Sequence, residues 1–207
     1  MKEETSPIID EIIEREWRMF SAVQSLDGQT ACQRQPDTFD LQRRSQYLTW
    51  PAVLLCSYRD DLRAASDEGR NLMTEKYARM MEHTDPDAFA AIEERLPPLE
   101  DGVAELADGA ADLIVSWEAD ARARHPFIVE RGRDLSDDAA SRQGTSFETY
   151  LRAELRTYSP RTLRLYARHL QGLADQGING SELIYEQLVR LYGYESLDEA
   201  NAAMSAR

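Results

Sequence analysis

Apolar residues recur at helical spacing along nearly the whole of this 207-residue chain, and period-two alternation is almost absent. That pattern predicts an all-α protein: one domain over residues 1–207, an irregular multi-helix bundle of about eight to ten helices. The first apolar stripe is Ile9, Ile12, Ile13, Phe20 and Val23. Glu16 falls among these residues rather than opposite them. A carboxylate on a core-facing stripe needs a cation or a proton, because burying it alone is costly.

Caps and breakers divide the chain. Ser6 with Pro7 is the expected start of the first helix, and Asp27-Gly28 its expected end. Asp37 is expected to open a second helix, which Pro51 breaks after Trp50. Helical runs follow over residues 52–65 and 69–84, then a short one from Asp85-Pro86 to Pro97-Pro98. A long helix over roughly 98–124 ends at His125-Pro126. Residues 129–145 read as a mobile polar connection. Helices follow at 146–157 and 160–175, the second capped by Ser159-Pro160. Residues 181–192 are apolar around most of the circumference, so that helix is expected at the centre. Gly193 suits a left-handed turn, and Ser196-Leu197-Asp198-Glu199 a capping box.

Two other segments carry a charge on the apolar face. Arg44 stands between Leu41 and Leu48 at i, i+3, i+7, and Glu154 falls in the arc of Phe147, Tyr150, Leu151 and Tyr158. Two carboxylates and one arginine, from three helices, are therefore expected to meet in the interior, since paired burial is the tolerated kind. Trp17, Gln46, Tyr150 and Tyr158 could complete such a pocket. Glu16 and Glu154 are the candidate acid or base, and Arg44 or Arg152 the candidate anchor for a substrate carboxylate or phosphate. Cys32 is the candidate nucleophile, with Gln33 beside it at the mouth. An inert Cys32 and a purely structural ion network are the competing readings. Cys56 and Lys76 read as structural, one in the core and the other a snorkelling stem.

The four-helix di-iron pattern requires Glu-x-x-His, and the residues three before His83, His125 and His169 are Met80, Arg122 and Tyr166. No Cys/His cluster has zinc spacing either, so no metal ligand set is assigned. The residues specify no cofactor and no oligomeric state; a third reading is a cofactor that fills the core, with His169 or His83 as ligand.

The formal charge is −14, from 38 acidic and 24 basic residues. Such a balance opposes general binding to nucleic acid and adhesion to anionic membranes. Two cysteines, a polar N-terminus and no long apolar run point to the cytoplasm. Residues 85–140 hold fifteen acids and five arginines, whereas residues 141–174 hold six arginines and two glutamates. The acidic and basic helices are therefore expected side by side.

The words Glu16-Trp17-Arg18-Met19-Phe20, Ala31-Cys32-Gln33, Arg44-Ser45-Gln46 and Tyr150-Leu151-Arg152-Ala153-Glu154-Leu155 occur in that order. Together they resemble the bacterial family catalogued as domain of unknown function 4125, over nearly the whole chain. The resemblance implies that the words carrying Glu16, Arg44 and Glu154 belong to the family pattern, and it implies no activity.

Two functional classes follow. One is a cytosolic small-molecule-binding domain, with or without catalysis, that uses a buried Glu/Arg pocket. The other is a non-catalytic interaction or accessory protein whose buried charges only fix the helices.

Overall fold

A computed structural model of the protein describes residues 2–23, 31–129, 133–136 and 145–206; of residues 2–4, 31 and 32 it describes the backbone alone. The described residues are mostly helical and contain no strand. Among the described residues eleven α-helices run in order: α1 (Lys2–Ser21), α2 (Pro36–Tyr47), α3 (Ala52–Asp67), α4 (Leu72–Thr84), α5 (Pro86–Ala90), α6 (Val103–Arg124), α7 (Pro126–Val129), α8 (Phe147–Leu155), α9 (Pro160–Asp175), α10 (Gly180–Leu191) and α11 (Leu197–Ser205). Nine of them have seven residues or more, within the expected eight to ten. Short 3-10 turns cover Ala31–Arg34 and Glu93–Arg95.

Side-chain caps set many of the boundaries. Asn71, Asp85, Ser146, Ser159, Asn179 and Ser196 each accept a hydrogen bond from the first turn that follows. At α11 the expected box is closed one residue early, because Glu199 accepts from the backbone N–H of Glu195 at 2.7 Å. Gly193 takes a φ of 89°, as its place after α10 requires.

The first helix departs from expectation at both ends. It begins at Lys2, upstream of the expected Ser6 cap, and carries Pro7 inside it. Pro7 is exposed, so water can satisfy the carbonyl that its missing N–H leaves over. It stops at Ser21, well before Asp27-Gly28, because Gln33 folds back on it. The Gln33 amide donates to the carbonyls of Phe20 and Val23, both at 2.9 Å. The second helix starts at Pro36 with Gln35 as its cap, so Asp37 lies within the first turn rather than before it. The expected 129–145 connection falls largely outside the described residues.

One apolar cluster draws on α1, α2, α3, α4, α6, α8 and α9. Helix α1 packs against α2, α3 and α4; α8 bridges α4 and α6; α9 lies against α3 and α6. A smaller cluster joins Val189, Leu197 and Ala200 of α10 and α11 to Ile128 and Tyr185. Helix α10 is therefore not central: it flanks α2 and α6, and Leu191 and Tyr192 are exposed. Its approach to α6 is close at Gly180, where a Cβ would come within 2.6 Å of the Trp117 ring.

Candidate functional site

Glu16 is wholly enclosed at the centre of this packing, as its place on the stripe requires. The cation that meets it is Arg43, not Arg44. Arg43 Nε donates to Glu16 Oε2 at 2.8 Å, and its Nη2 donates to Oε1. The hydroxyls of Tyr47 and Tyr58 each donate to the same Oε1 at 2.7 Å. Arg43 Nη1 and Nη2 both reach Glu154 Oε1 at 3.0 Å, and Nη1 also donates to Gln46 Oε1 at 3.1 Å. One guanidinium thus holds two carboxylates from helices far apart in sequence, the planar fork supplying the donors.

The choice of arginine follows from which side of α2 turns inward. Phe39, Arg43 and Tyr47 stand four residues apart on one line, and Tyr47 has no exposed surface. Leu41 and Leu48, which suggested the other face, are only half-buried. Arg44 sits one residue round, at the rim, bound to Asp40 by two 2.8 Å hydrogen bonds and to Asp10 by a third.

Lys76 completes the cluster. Its side chain is 2% exposed, so it is no snorkelling stem. The ammonium donates to Tyr150 Oη at 2.6 Å and Glu154 Oε2 at 3.2 Å, and stands 4.0 Å from the centroid of the Tyr150 ring. Its sequence signal was the spacing Met73, Lys76, Met80 on a buried face; Tyr58 gave none beyond its place on α3. Tyr158 donates to Glu154 Oε1 at 3.3 Å.

Two cations and two carboxylates cancel inside the cluster. Burial pushes the Glu154 carboxyl up, but Arg43 and Lys76 overcome it and hold the group at about 2. Burial opposes the charge on Lys76, and Tyr150 and Glu154 reverse that, so its pKa is raised. Arg43 is likewise raised, Glu154 and Glu16 outweighing its burial. Burial first, and the carboxylates next to it, push Tyr58 and Tyr158 up; for Tyr47 burial dominates against the pull of Arg43. These tyrosines therefore stay protonated and serve as donors.

Two clefts meet at this cluster, with Gln42, Arg43, Phe147 and Tyr150 forming the wall between them. The first, about 350 Å³, is lined by Phe20, Phe39, Met73 and Tyr77 and by the three cations Arg43, Lys76 and Arg133, with no carboxylate among the described residues that line it. The second, about 280 Å³, carries Gln46, Glu154, Tyr166, Glu118 and Tyr185. Glu118 is buried, bound to Arg122 at 3.0 Å and Tyr185 at 2.8 Å.

Of the expected site residues, Glu16, Glu154, Gln46, Tyr150 and Tyr158 are brought together. Trp17 instead packs on Phe20 and Phe39. Arg152 lies outside, held by Glu148 of its own helix and by Asp108 and Asp112 where α8 meets the acidic α6. Gln33 terminates α1 rather than lining a cleft mouth. The Cys32 side chain lies outside the described residues, and Cys56 is half-buried rather than in the core. His83 is exposed; His169 is half-buried, and burial lowers its pKa. Among the described residues, no group of three His, Cys, Asp or Glu could hold a metal ion. No helix there is long and apolar enough to cross a membrane.

These features define the class: an all-helical protein with a charge-balanced buried cluster at the meeting of two clefts. The chain belongs to the family described as "Protein of unknown function (DUF4125)", which matches residues 6–202. No curated protein and no solved structure matches it.

Proposed function

We propose that this protein binds a small organic anion with a flat apolar body in the first cleft. The observation that carries this reading is the lining: among the described residues, three cations and no carboxylate stand with aromatic rings, in a chain of net charge −14. Arg43 and Lys76 are balanced from behind by Glu16 and Glu154. Arg133 is not: among the described residues no carboxylate pairs with it. It donates to the carbonyl of Thr145 at 2.9 Å and lies over the Tyr150 ring at 4.8 Å from the centroid. Among the described residues that line the cleft, its charge is the one without a carboxylate partner, and the rings of Phe39, Phe147 and Tyr150 offer faces for a flat body. Acidic composition and few cysteines favour a cytoplasmic setting, without a nucleic-acid or anionic-membrane partner.

In an enzymatic form of this reading, Arg43 and Lys76 stabilise developing negative charge. Glu154, ionised throughout the physiological range, orients those cations and donates no proton. Glu16 lines neither cleft and acts as a positioning residue. One observation favours the non-catalytic alternative: Glu16, Arg43, Glu154 and Lys76 all find partners within the cluster, as a purely structural network would.

Calorimetric titration with benzoate and its neutral amide separates the two. Binding of benzoate but not benzamide, lost in Arg133→Ala and kept in Arg59→Ala, supports the reading. Equal binding of both, or of neither, favours the structural network. Glu16→Gln that keeps benzoate binding while losing stability would confirm Glu16 as positioning only.

A further inference from the structure

The second cleft, about 280 Å³ between α2, α6, α8, α9 and α10, gathers polar atoms that the fold leaves without partners. Glu118 of α6, Tyr166 of α9 and Ser181 of α10 line it, and they are 2%, 4% and 6% exposed. Both hydrogen bonds to Glu118 end on Oε1, from Arg122 at 3.0 Å and Tyr185 at 2.8 Å, so Oε2 accepts none among the described residues. The Tyr166 and Ser181 hydroxyls likewise bond to no described residue. None of the three atoms is sealed in: among the described residues the enclosed unpaired side-chain atoms lie at Ser21, Arg79, His125, Arg156 and Glu182. A nearly buried polar group without a partner is costly to the fold. Three of them, brought from three helices to one accessible cleft, mark a place that answers a hydrogen-bonding guest.

The charges on these walls are already matched. Arg43 is held by Glu16 and Glu154, Glu154 also by Lys76, and Glu118 by Arg122. An entering ion would meet no uncompensated opposite charge, unlike in the first cleft, where no described carboxylate pairs with Arg133. What is left over is hydrogen-bonding capacity of both kinds. Glu118 Oε2 only accepts. The Gln46 amide nitrogen, whose neighbouring Oε1 is taken by Arg43, only donates, and Tyr166 and Ser181 do either. Burial foremost, and then Glu154, push the Tyr166 hydroxyl up, so it stays protonated. An ammonium only donates and would leave the Gln46 amide unanswered. A carboxylate or phosphate only accepts and would face Glu118. A hydroxyl does both, so a molecule carrying several can meet all four groups. Ile114, Leu151, Ile184 and the Phe147 ring supply apolar wall for its carbon skeleton. A recess at Trp50 and His169 shares Tyr166 and Ser181, but at about 20 Å³ it has room for about one water, so the guest lies in the larger space.

We infer that this cleft is a second binding site, for an uncharged molecule with several hydroxyl groups, such as a polyol or a single sugar ring. The site stands apart from the anion reading, since Gln46, Glu118, Tyr166 and Ser181 do not line the first cleft.

The test titrates the full chain with glycerol, myo-inositol and glucose, and with ethylammonium as the charged control. The side-chain amide signals of Gln46 are followed by NMR, and affinity by calorimetry. At least one polyol should shift those signals saturably in the millimolar range. Tyr166→Phe and Ser181→Ala each remove one hydroxyl and should weaken that binding about three- to tenfold, the scale of a single hydrogen bond. Glu118→Gln should weaken it about tenfold or more, as losing a charge-assisted acceptor does. Arg133→Ala should leave polyol binding unchanged, so that this site and the anion reading fail separately. Absence of saturable binding by all three polyols overturns the site, and so does binding of ethylammonium in their place. Equal polyol affinity in wild type and both hydroxyl variants overturns it as well, as does polyol binding that is lost in Arg133→Ala. Should Glu118→Gln fail to fold, the hydroxyl variants decide alone.

Discussion

Arg43 and Arg152 each gather several carboxylates, in opposite surroundings. The Arg43 side chain is 12% exposed, and its partners Glu16 and Glu154 are 0% and 7% exposed. Arg152 is 23% exposed, and its partners Asp108, Asp112 and Glu148 are 40%, 68% and 31% exposed. In the first region the charges are almost wholly out of water, so each depends on the others and on tyrosine hydroxyls for compensation. In the second, water and salt stand ready to replace any partner. The same residue types therefore make an interdependent core in one place and a tolerant surface seam in the other.

Substitutions should expose that contrast. Arg43→Met strands two buried carboxylates and is expected to cost about 3–5 kcal/mol by urea denaturation, the largest effect. A loss below about 1 kcal/mol would mean that the cluster is as well solvated as the seam. Lys76→Met leaves Glu154 with Arg43, so roughly 2 kcal/mol is expected, the scale of a hydrogen bond to a charged group.

Acid tests the same interdependence. Glu154 is held at about 2, below its ordinary 4.5, so its stabilising contribution is complete above about 4.5 and is lost as pH falls toward 2. The stability gap between wild type and Glu154→Gln should close across that window. Glu11, paired with Arg63 and Arg15 near the surface, is also held at about 2. Added salt should remove its share and leave that of Glu154; a pH profile flattened completely by salt would place both in water.

Effects at the seam should be smallest. Arg152→Ala and Arg44→Ala are each expected to cost about 1 kcal/mol or less, and less again in high salt. Comparison of Arg44→Ala with Arg43→Met is the most direct check of which way α2 faces, since the two residues are neighbours in sequence.

The helical class, the apolar stripes, the caps at Ser159 and Ser196 and the burial of Glu16 and Glu154 were legible in the chain alone. Each depends on neighbours within a turn or two, where a 3.6-residue period and local backbone hydrogen bonds dominate. Tertiary packing decided the rest. One residue along a helix is about 100° of rotation, so the Leu41–Leu48 stripe and the Phe39–Tyr47 stripe compete, and only contact with α1 and α10 settles in favour of Arg43. Lys76 could be placed inside only by partners 74 and 78 residues away, Tyr150 and Glu154. The end of α1 is met by Gln33, 13 residues beyond Phe20 in sequence. Local periodicity shows that a charge is turned inward; which charge it meets depends on long-range packing, because the energy that matters is a pair term between helices rather than a property of either one.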